Sequence, residues 1–248
     1  MSVLPPQILV LQHIDVEDLG YLHDLMQQDR FGLTTVRLDL GEKIPAHLEQ
    51  FDAMFSMGGP MDTCMEREFP WLVDEKKAIR EFVVALEKPF MGFCLGCQLL
   101  GEVVGGEVVK SASPEVGIFD IRINGAGRRD KIFSGFPQTF KALQWHSWEV
   151  ANLRHNKDVT MLGSTDTTEC QIFKYREHAY GIQFHIEIKD HTVSAWGEVP
   201  EYRRALEQSL GGDGLGLFNR EALENLKDIN RCAEIFYNQL KTMLRETR

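Results

Sequence analysis

A cysteine between two glycines, in the run PFMGFCLGCQLLGEVVGG at 89–106, is the residue best placed to do chemistry. The apolar stretch before Cys94 reads as a strand and the stretch after it as a helix. Cys94 therefore falls on a sharp strand-to-helix elbow, which pushes its side chain out above a sheet. Gly92 and Gly96 let the backbone turn without side-chain clashes. The helix beginning after Cys94 offers unpaired backbone N–H groups and a positive dipole end, both favourable to a thiolate and an oxyanion. A cysteine nucleophile needs a base, and the base needs an orienting group. His185 and Glu187, in QFHIE, supply both. Two apart, they share one face of a strand; at a strand end Glu187 can instead fold back onto the ring. An oxyanion needs two convergent N–H donors. Leu95 carries one. The loop MGGP at 57–60 suits the other, because Gly58 and Gly59 allow close backbone approach to a ligand.

The elements that must hold these residues alternate between strand and helix. ILVLQHI (8–14), TTVRLDL (34–40), FDAMFS at the start of 51–60 and PFMGF read as buried strands. Residues 15–30 and 69–87 carry helical periodicity, and Pro70 suits a helix start. This order predicts an α/β fold with an open, mostly parallel sheet and helices on both faces. Ligand sites of such sheets lie at the carboxyl ends of the strands, where Cys94 and His185 can meet despite their separation. After residue 106 the pattern changes. EVVKSA, GIFDIRI, KALQWHSWEV, TMLGST and CQIFKY are strand-like with short connections, predicting a small antiparallel extension. AYGIQFHIE (179–187) returns as a buried strand, and 190–248 is mostly helical, with SLGGDGLG (209–216) as a loop. No repeat or long linker divides the chain, so 1–248 is expected to be one domain.

GFCLGCQLL, SMGGPMD, QWHSWEV and QFHIE, in that order, resemble the class I glutamine amidotransferases, whose triad is Cys-His-Glu. GGPMDTCMEREFPWLVDEKKAIREF looks most like their stand-alone, GMP-synthase-like members. The resemblance implies a flavodoxin-like sheet and a glutaminase reaction through a γ-glutamyl thioester on Cys94. His185 would shuttle protons and Glu187 would orient it. Gly59 and Leu95 would hold the oxyanion. Gln98, His146, Gly58 and the backbone around Ser147 and Trp148 would contact the substrate. His-Ile-Glu stands where the family usually has His-Pro-Glu, and Trp148 replaces an acidic residue that often follows His146-Ser147. The implied ligand is glutamine or another γ-glutamyl small molecule. The implied partner for synthesis is a separate acceptor or synthase subunit.

Other readings compete. Cys94-x-x-Cys97 is also a redox spacing, but it leaves the GGP loop and His-x-Glu unexplained. Cys64, Cys170 and Cys232 offer no second pair with zinc spacing, so no metal or other cofactor is expected. A stand-alone γ-glutamyl hydrolase would use the same triad with a bulkier leaving group. A non-catalytic regulatory module would retain the fold alone. With 27 Lys+Arg against 37 Asp+Glu, the net charge is −10 and no basic run stands out. That argues against nucleic-acid or anionic-membrane binding. The N-terminus lacks a basic segment and a long apolar run, so a cytoplasmic protein is expected. Cys232, Ile235, Phe236, Leu240 and Met243 form an apolar stripe suited to the core or to a homodimer face.

Overall fold

The first strand, β1 (Gln7–Gln12), sets the layering. Successive side chains of a strand point to opposite faces. Ile8 and Val10 enter one apolar cluster, while Leu9 and Leu11 enter another on the far side of the sheet. Both faces of this strand are therefore buried, as its continuous apolar run requires. The computed structural model describes residues 5–246.

From β1 the chain passes through α1 (Gly20–Gln28), β2 (Gly32–Arg37), β3 (Ala53–Ser56), α2 (Trp71–Arg80), β4 (Phe90–Phe93) and α3 (Leu95–Val103). Then follow β5 (Glu107–Ile123), β6 (Thr139–Ala151), β7 (Val159–Ser164), β8 (Ile172–Tyr175) and β9 (Ala179–Ile182). The order across the nine-stranded sheet is β2-β1-β3-β4-β9-β8-β7-β5-β6. Neighbours from β2 to β9 pair in parallel. Those from β9 to β6 pair antiparallel. The α/β architecture is thus a mixed sheet, with an antiparallel part longer than the sequence suggests. EVVKSA and GIFDIRI belong to one strand, β5, whose register against β6 shifts between Lys110 and Glu115.

Three helices close the chain: α4 (Thr192–Trp196), α5 (Pro200–Leu210) and α6 (Gly214–Glu246). Phe236 and Leu240 of α6 pack in the cluster that also holds Leu22 of α1, whereas Leu72 of α2 and Leu99 of α3 pack on the opposite face. Each fully buried Leu or Phe contributes about 1.5–3 kcal/mol relative to exposure, so the stripe on α6 binds it firmly. That stripe is spent on the chain's own core: Phe236 and Leu240 are fully buried. Among the described residues no helix is long and apolar enough to cross a membrane.

Two elements end sooner than the sequence predicts, and both endings serve the site. The helix expected over 15–30 starts only at Gly20, which takes a positive φ of 49°. A Cβ at Gly20 would collide with the carbonyl oxygen of Glu187. The next amide, Tyr21 N–H, donates to that same oxygen at 2.6 Å. The strand expected over 179–187 stops at Ile182, and the chain then turns irregularly through His185 and Glu187. A backbone bridge between Leu143 and His185 anchors this segment to β6 (His185 N–H to Leu143 O, 2.9 Å).

Candidate active site

Cys94 stands between the end of β4 and the first residue of α3, with φ 47° and ψ −101°. Such a backbone costs about 1–3 kcal/mol and persists only where surrounding contacts over-determine it. Those contacts are present. The Cys94 N–H donates to Ile182 O at 2.9 Å, and the Gly96 N–H donates to Met57 O at 3.1 Å. A Cβ at Gly96 would strike the Ser56 carbonyl, and one at Gly92 would strike the Gly96 carbonyl. The elbow is thus clamped between β3 and β9, and only glycines fit beside it.

Cys94 opens on a pocket of about 190 Å³. Gly59, Gln98, His146, Ser147 and Trp148, each expected there from the sequence, line it, and Tyr202 of α5 adds a wall. Gly58 lies one residue behind the lining, and Leu95 begins the helix beneath it. His185 is a hydrogen-bonding partner of the Cys94 thiol. Its Nδ1 sits 2.6 Å from Glu187 Oε1, while Glu187 Oε2 accepts the Ile186 N–H at 2.9 Å. Glu187 therefore folds back on the ring, the strand-end alternative, and the ring's Nδ1–H donates to it. His185 is also packed edge-on against Trp196, at 4.6 Å between ring centres. Burial works to lower the His185 pKa, but the Glu187 charge, the thiol and Glu187 hydrogen bonds and the Glu17 charge hold it well above the ordinary histidine value.

Gln98 and His146 spend their polar atoms on the protein. The Gln98 side-chain amide donates to Trp148 O at 2.9 Å and to Gln183 Oε1 at 3.2 Å. The His146 ring meets Trp148 O through Nδ1 at 3.0 Å and Glu115 Oε2 through Nε2 at 2.9 Å. Both residues therefore hold the Trp148 backbone, and Gln98 keeps only its amide oxygen for a ligand.

Three further groups at this site carry no motif signal. Gln183 Nε2 points at Cys94 Sγ from 3.6 Å; it lies two residues before His185, in a segment that reads as plain buried strand. Glu17, in a stretch that reads as exposed helix, is buried with its Oε1 accepting from the Tyr202 hydroxyl. Its Oε2 is buried without a hydrogen-bond partner. Tyr202 comes from the C-terminal helices, far from every motif. Among the described residues no group of three or more His, Cys, Asp or Glu is arranged to hold a metal ion.

Glu17 yields a pH prediction. Desolvation raises its pKa above the ordinary 4.5 and outweighs the opposing charge of His185 and the Tyr202 hydrogen bond. The folded protein therefore holds this proton more tightly than the unfolded chain. Its stabilising contribution is present below pH 4.5 and is lost as pH rises through the folded value. Glu17→Gln lacks that loss. The melting temperature of the variant minus that of wild type should rise as pH goes from about 4 to about 7. A difference that stays flat across thermal melts in that range refutes the assignment.

The chain compares closely with known proteins. Residues 19–194 match the family model for class-I glutamine amidotransferases. The glutamine-hydrolysing subunit of GMP synthase from Sulfolobus acidocaldarius is 32% identical over 181 residues, which is 73% of this chain and 85% of the relative. A glutamine amidotransferase from Thermotoga maritima superposes with a TM-score of 0.79 at 27% identity, covering 98% of this chain and 97% of the other. A glutamine amidotransferase from Methylobacillus flagellatus shares the fold, with a TM-score of 0.81 at 22% identity over 96% and 94% of the two chains. Sequence, fold and motif order agree, and this chain belongs to the class-I glutamine amidotransferase family.

Proposed function

We propose that the chain is a glutaminase whose nucleophile, base and orienting group are Cys94, His185 and Glu187. The observation that carries this reading is the chain of contacts from Glu187 through His185 to Cys94, opening on one small pocket. Cys94 Sγ attacks the side-chain amide carbon of glutamine as its proton passes to His185. Glu187 stabilises the imidazolium so formed, the role of the carboxylate in Ser-His-Asp sites. The N–H groups of Gly59 and Leu95 receive the oxyanion. Collapse breaks the C–N bond, His185 returns the proton to the leaving nitrogen, and ammonia departs from a γ-glutamyl thioester. Water, deprotonated by His185, then attacks the thioester and releases glutamate and the Cys94 thiol. The sum is glutamine plus water to glutamate plus ammonia. Gln183, by its contact with the sulfur, steadies the nucleophile, and Gln98 and His146 act on substrate through the Trp148 backbone.

The size of the pocket favours glutamine over a γ-glutamyl peptide. At about 190 Å³ it falls below the roughly 300–1,000 Å³ of drug-sized ligand sites, and Tyr202 and Trp148 stand where a bulky leaving group would extend. That the Sulfolobus relative is named as one subunit of GMP synthase supports transfer of ammonia to a separate acceptor protein. The order β2-β1-β3-β4-β9 of the parallel strands supports a flavodoxin-like reading of that part of the sheet. Helices α5 and α6 pack on the same sheet, which supports one domain.

The test is product release by purified protein: ammonia from glutamine beside amine from small γ-glutamyl dipeptides. Glutamine should be preferred in kcat/KM by at least about tenfold, about 1.4 kcal/mol of transition-state discrimination. A preference for the dipeptides would make the protein a γ-glutamyl hydrolase instead.

A further inference from the structure

The GGP loop is held from behind by a second buried histidine–glutamate pair. His13, just past β1, and Glu75, on α2, are both fully buried. His13 Nε2 lies 2.9–3.0 Å from the two Glu75 carboxylate oxygens, and Nδ1 lies 2.9 Å from the carbonyl oxygen of Gly58. The Ser56 hydroxyl donates to Glu75 Oε1 at 2.8 Å, and the His13 ring stacks on Trp71 at 5.3 Å. Both ring nitrogens face acceptors, so both carry protons. Burial opposes that charge, but the Glu75 charge and hydrogen bonds to Glu75 and Gly58 hold the His13 pKa above its ordinary value.

The carbonyl that His13 grips belongs to the peptide whose N–H is on Gly59. A trans peptide is planar, with its C=O and N–H pointing in opposite directions. An imidazolium bound to the Gly58 oxygen on the side of α2 therefore turns the Gly59 N–H the other way. Gly59 lines the pocket with Cys94, and a Cβ built on it would lie 3.0 Å from a Leu95 side-chain carbon. Leu95 supplies the other N–H. A Gly-Gly peptide is otherwise free to rotate, and a charge-assisted hydrogen bond is about twice as strong as a neutral one.

We propose that His13, anchored by Glu75, is a positioning residue that orients the Gly58–Gly59 peptide and so aims the Gly59 N–H at the oxyanion. This rests on the glutaminase reading and deepens it. The same arrangement recurs on the opposite wall, where Glu115 anchors His146 and His146 grips the Trp148 carbonyl. A buried ion pair costs several kcal/mol per ion to desolvate, and an apolar pair of similar volume is often neutral or better for stability. Two such pairs, each gripping one pocket-wall carbonyl, set the orientation of backbone groups, which apolar side chains cannot do.

The experiment separates oxyanion support from general damage. Turnover of glutamine passes through an oxyanion. Alkylation of Cys94 by iodoacetamide is a displacement at carbon and forms none. His13→Gln and the apolar double variant His13→Leu/Glu75→Met are compared with wild type in both reactions, with thermal melts as the folding control. The double variant keeps the core filled, so it reports even where the single one does not fold. Loss of one oxyanion donor costs about 10²–10³-fold in kcat, so kcat should fall about 10²-fold in each variant, with KM and the alkylation rate within about threefold. Unchanged kcat in a folded variant overturns the inference. So does alkylation that falls in step with turnover, because the damage then lies at the nucleophile. A wild-type chain that neither releases ammonia nor is acylated by an activated γ-glutamyl ester overturns the glutaminase reading and this inference together. An active wild type matched by both variants overturns this inference alone.

Discussion

Cys94→Ala is expected to lower ammonia release from glutamine by about 10⁴-fold or more, since loss of a nucleophile removes the covalent route and leaves only binding and the oxyanion donors. Ammonia measured over hours against a wild-type control reads this directly; residual activity within tenfold of wild type would remove Cys94 from the mechanism. The same position carries a stability prediction. Cys94 has φ 47° and ψ −101°, which a residue with a Cβ adopts only under strain. Alanine keeps that strain and glycine relieves it. Cys94→Gly should therefore unfold at higher denaturant than Cys94→Ala, by about 1 kcal/mol after glycine's larger chain entropy is subtracted. Both variants should be inactive. Stability regained only by giving up the sulfur would show the elbow storing strain to present it. Equal midpoints for the two variants would show that the backbone there is relaxed.

His185→Ala should cost a similar amount, because no other group contacts the thiol with the ability to take and return its proton. Glu187→Gln should cost about 10³–10⁴-fold in kcat. Its amide can present an N–H toward the ring and invert the tautomer that Nδ1 now carries. It also removes the charge that most strongly holds a proton on His185. The acid limb of the kcat/KM profile should accordingly move to lower pH in Glu187→Gln. The sign follows from the geometry: an imidazolium that loses its counter-ion gives up its proton at lower pH. Removing both residues together should be no worse than removing His185 alone, because they act as one unit. Full additivity of the two losses in single-turnover assays would mean that Glu187 acts apart from His185.

Much of the site is legible in the amino-acid sequence. Alternating apolar residues in ILVLQ commit that strand to a sheet buried on both faces. The Gly-x-Cys-x-Gly turn is local: its strand, glycines and helix lie within a few residues of each other, so sequence alone specifies the elbow. The spacing of His185 and Glu187 is equally local, and their contact needs only one turn of backbone. What periodicity misjudges are element ends. Residues 15–19 look helical, yet the helix begins at Gly20 because the Glu187 carbonyl occupies the space before it. The strand of 179–187 stops at Ile182 because His185 bridges to β6 instead of to a neighbour of β9.

The remaining site residues could come only from the tertiary structure. Glu17, His13, Glu75 and Tyr202 sit in segments without a motif, and a charged residue in such a stretch is ordinarily solvated. Folding brings Glu17 under Gly58 and against Tyr202, whose helix is joined to the site by no local pattern. It sets His13 and Glu75 62 positions apart in the chain and 2.9 Å apart in space. Sequence by itself determined where the chemistry is, because a nucleophile on an elbow and its paired base are short-range patterns. Tertiary packing decided which buried charges surround them, because desolvation and hydrogen-bond partners are properties of the closed core and not of any stretch of chain.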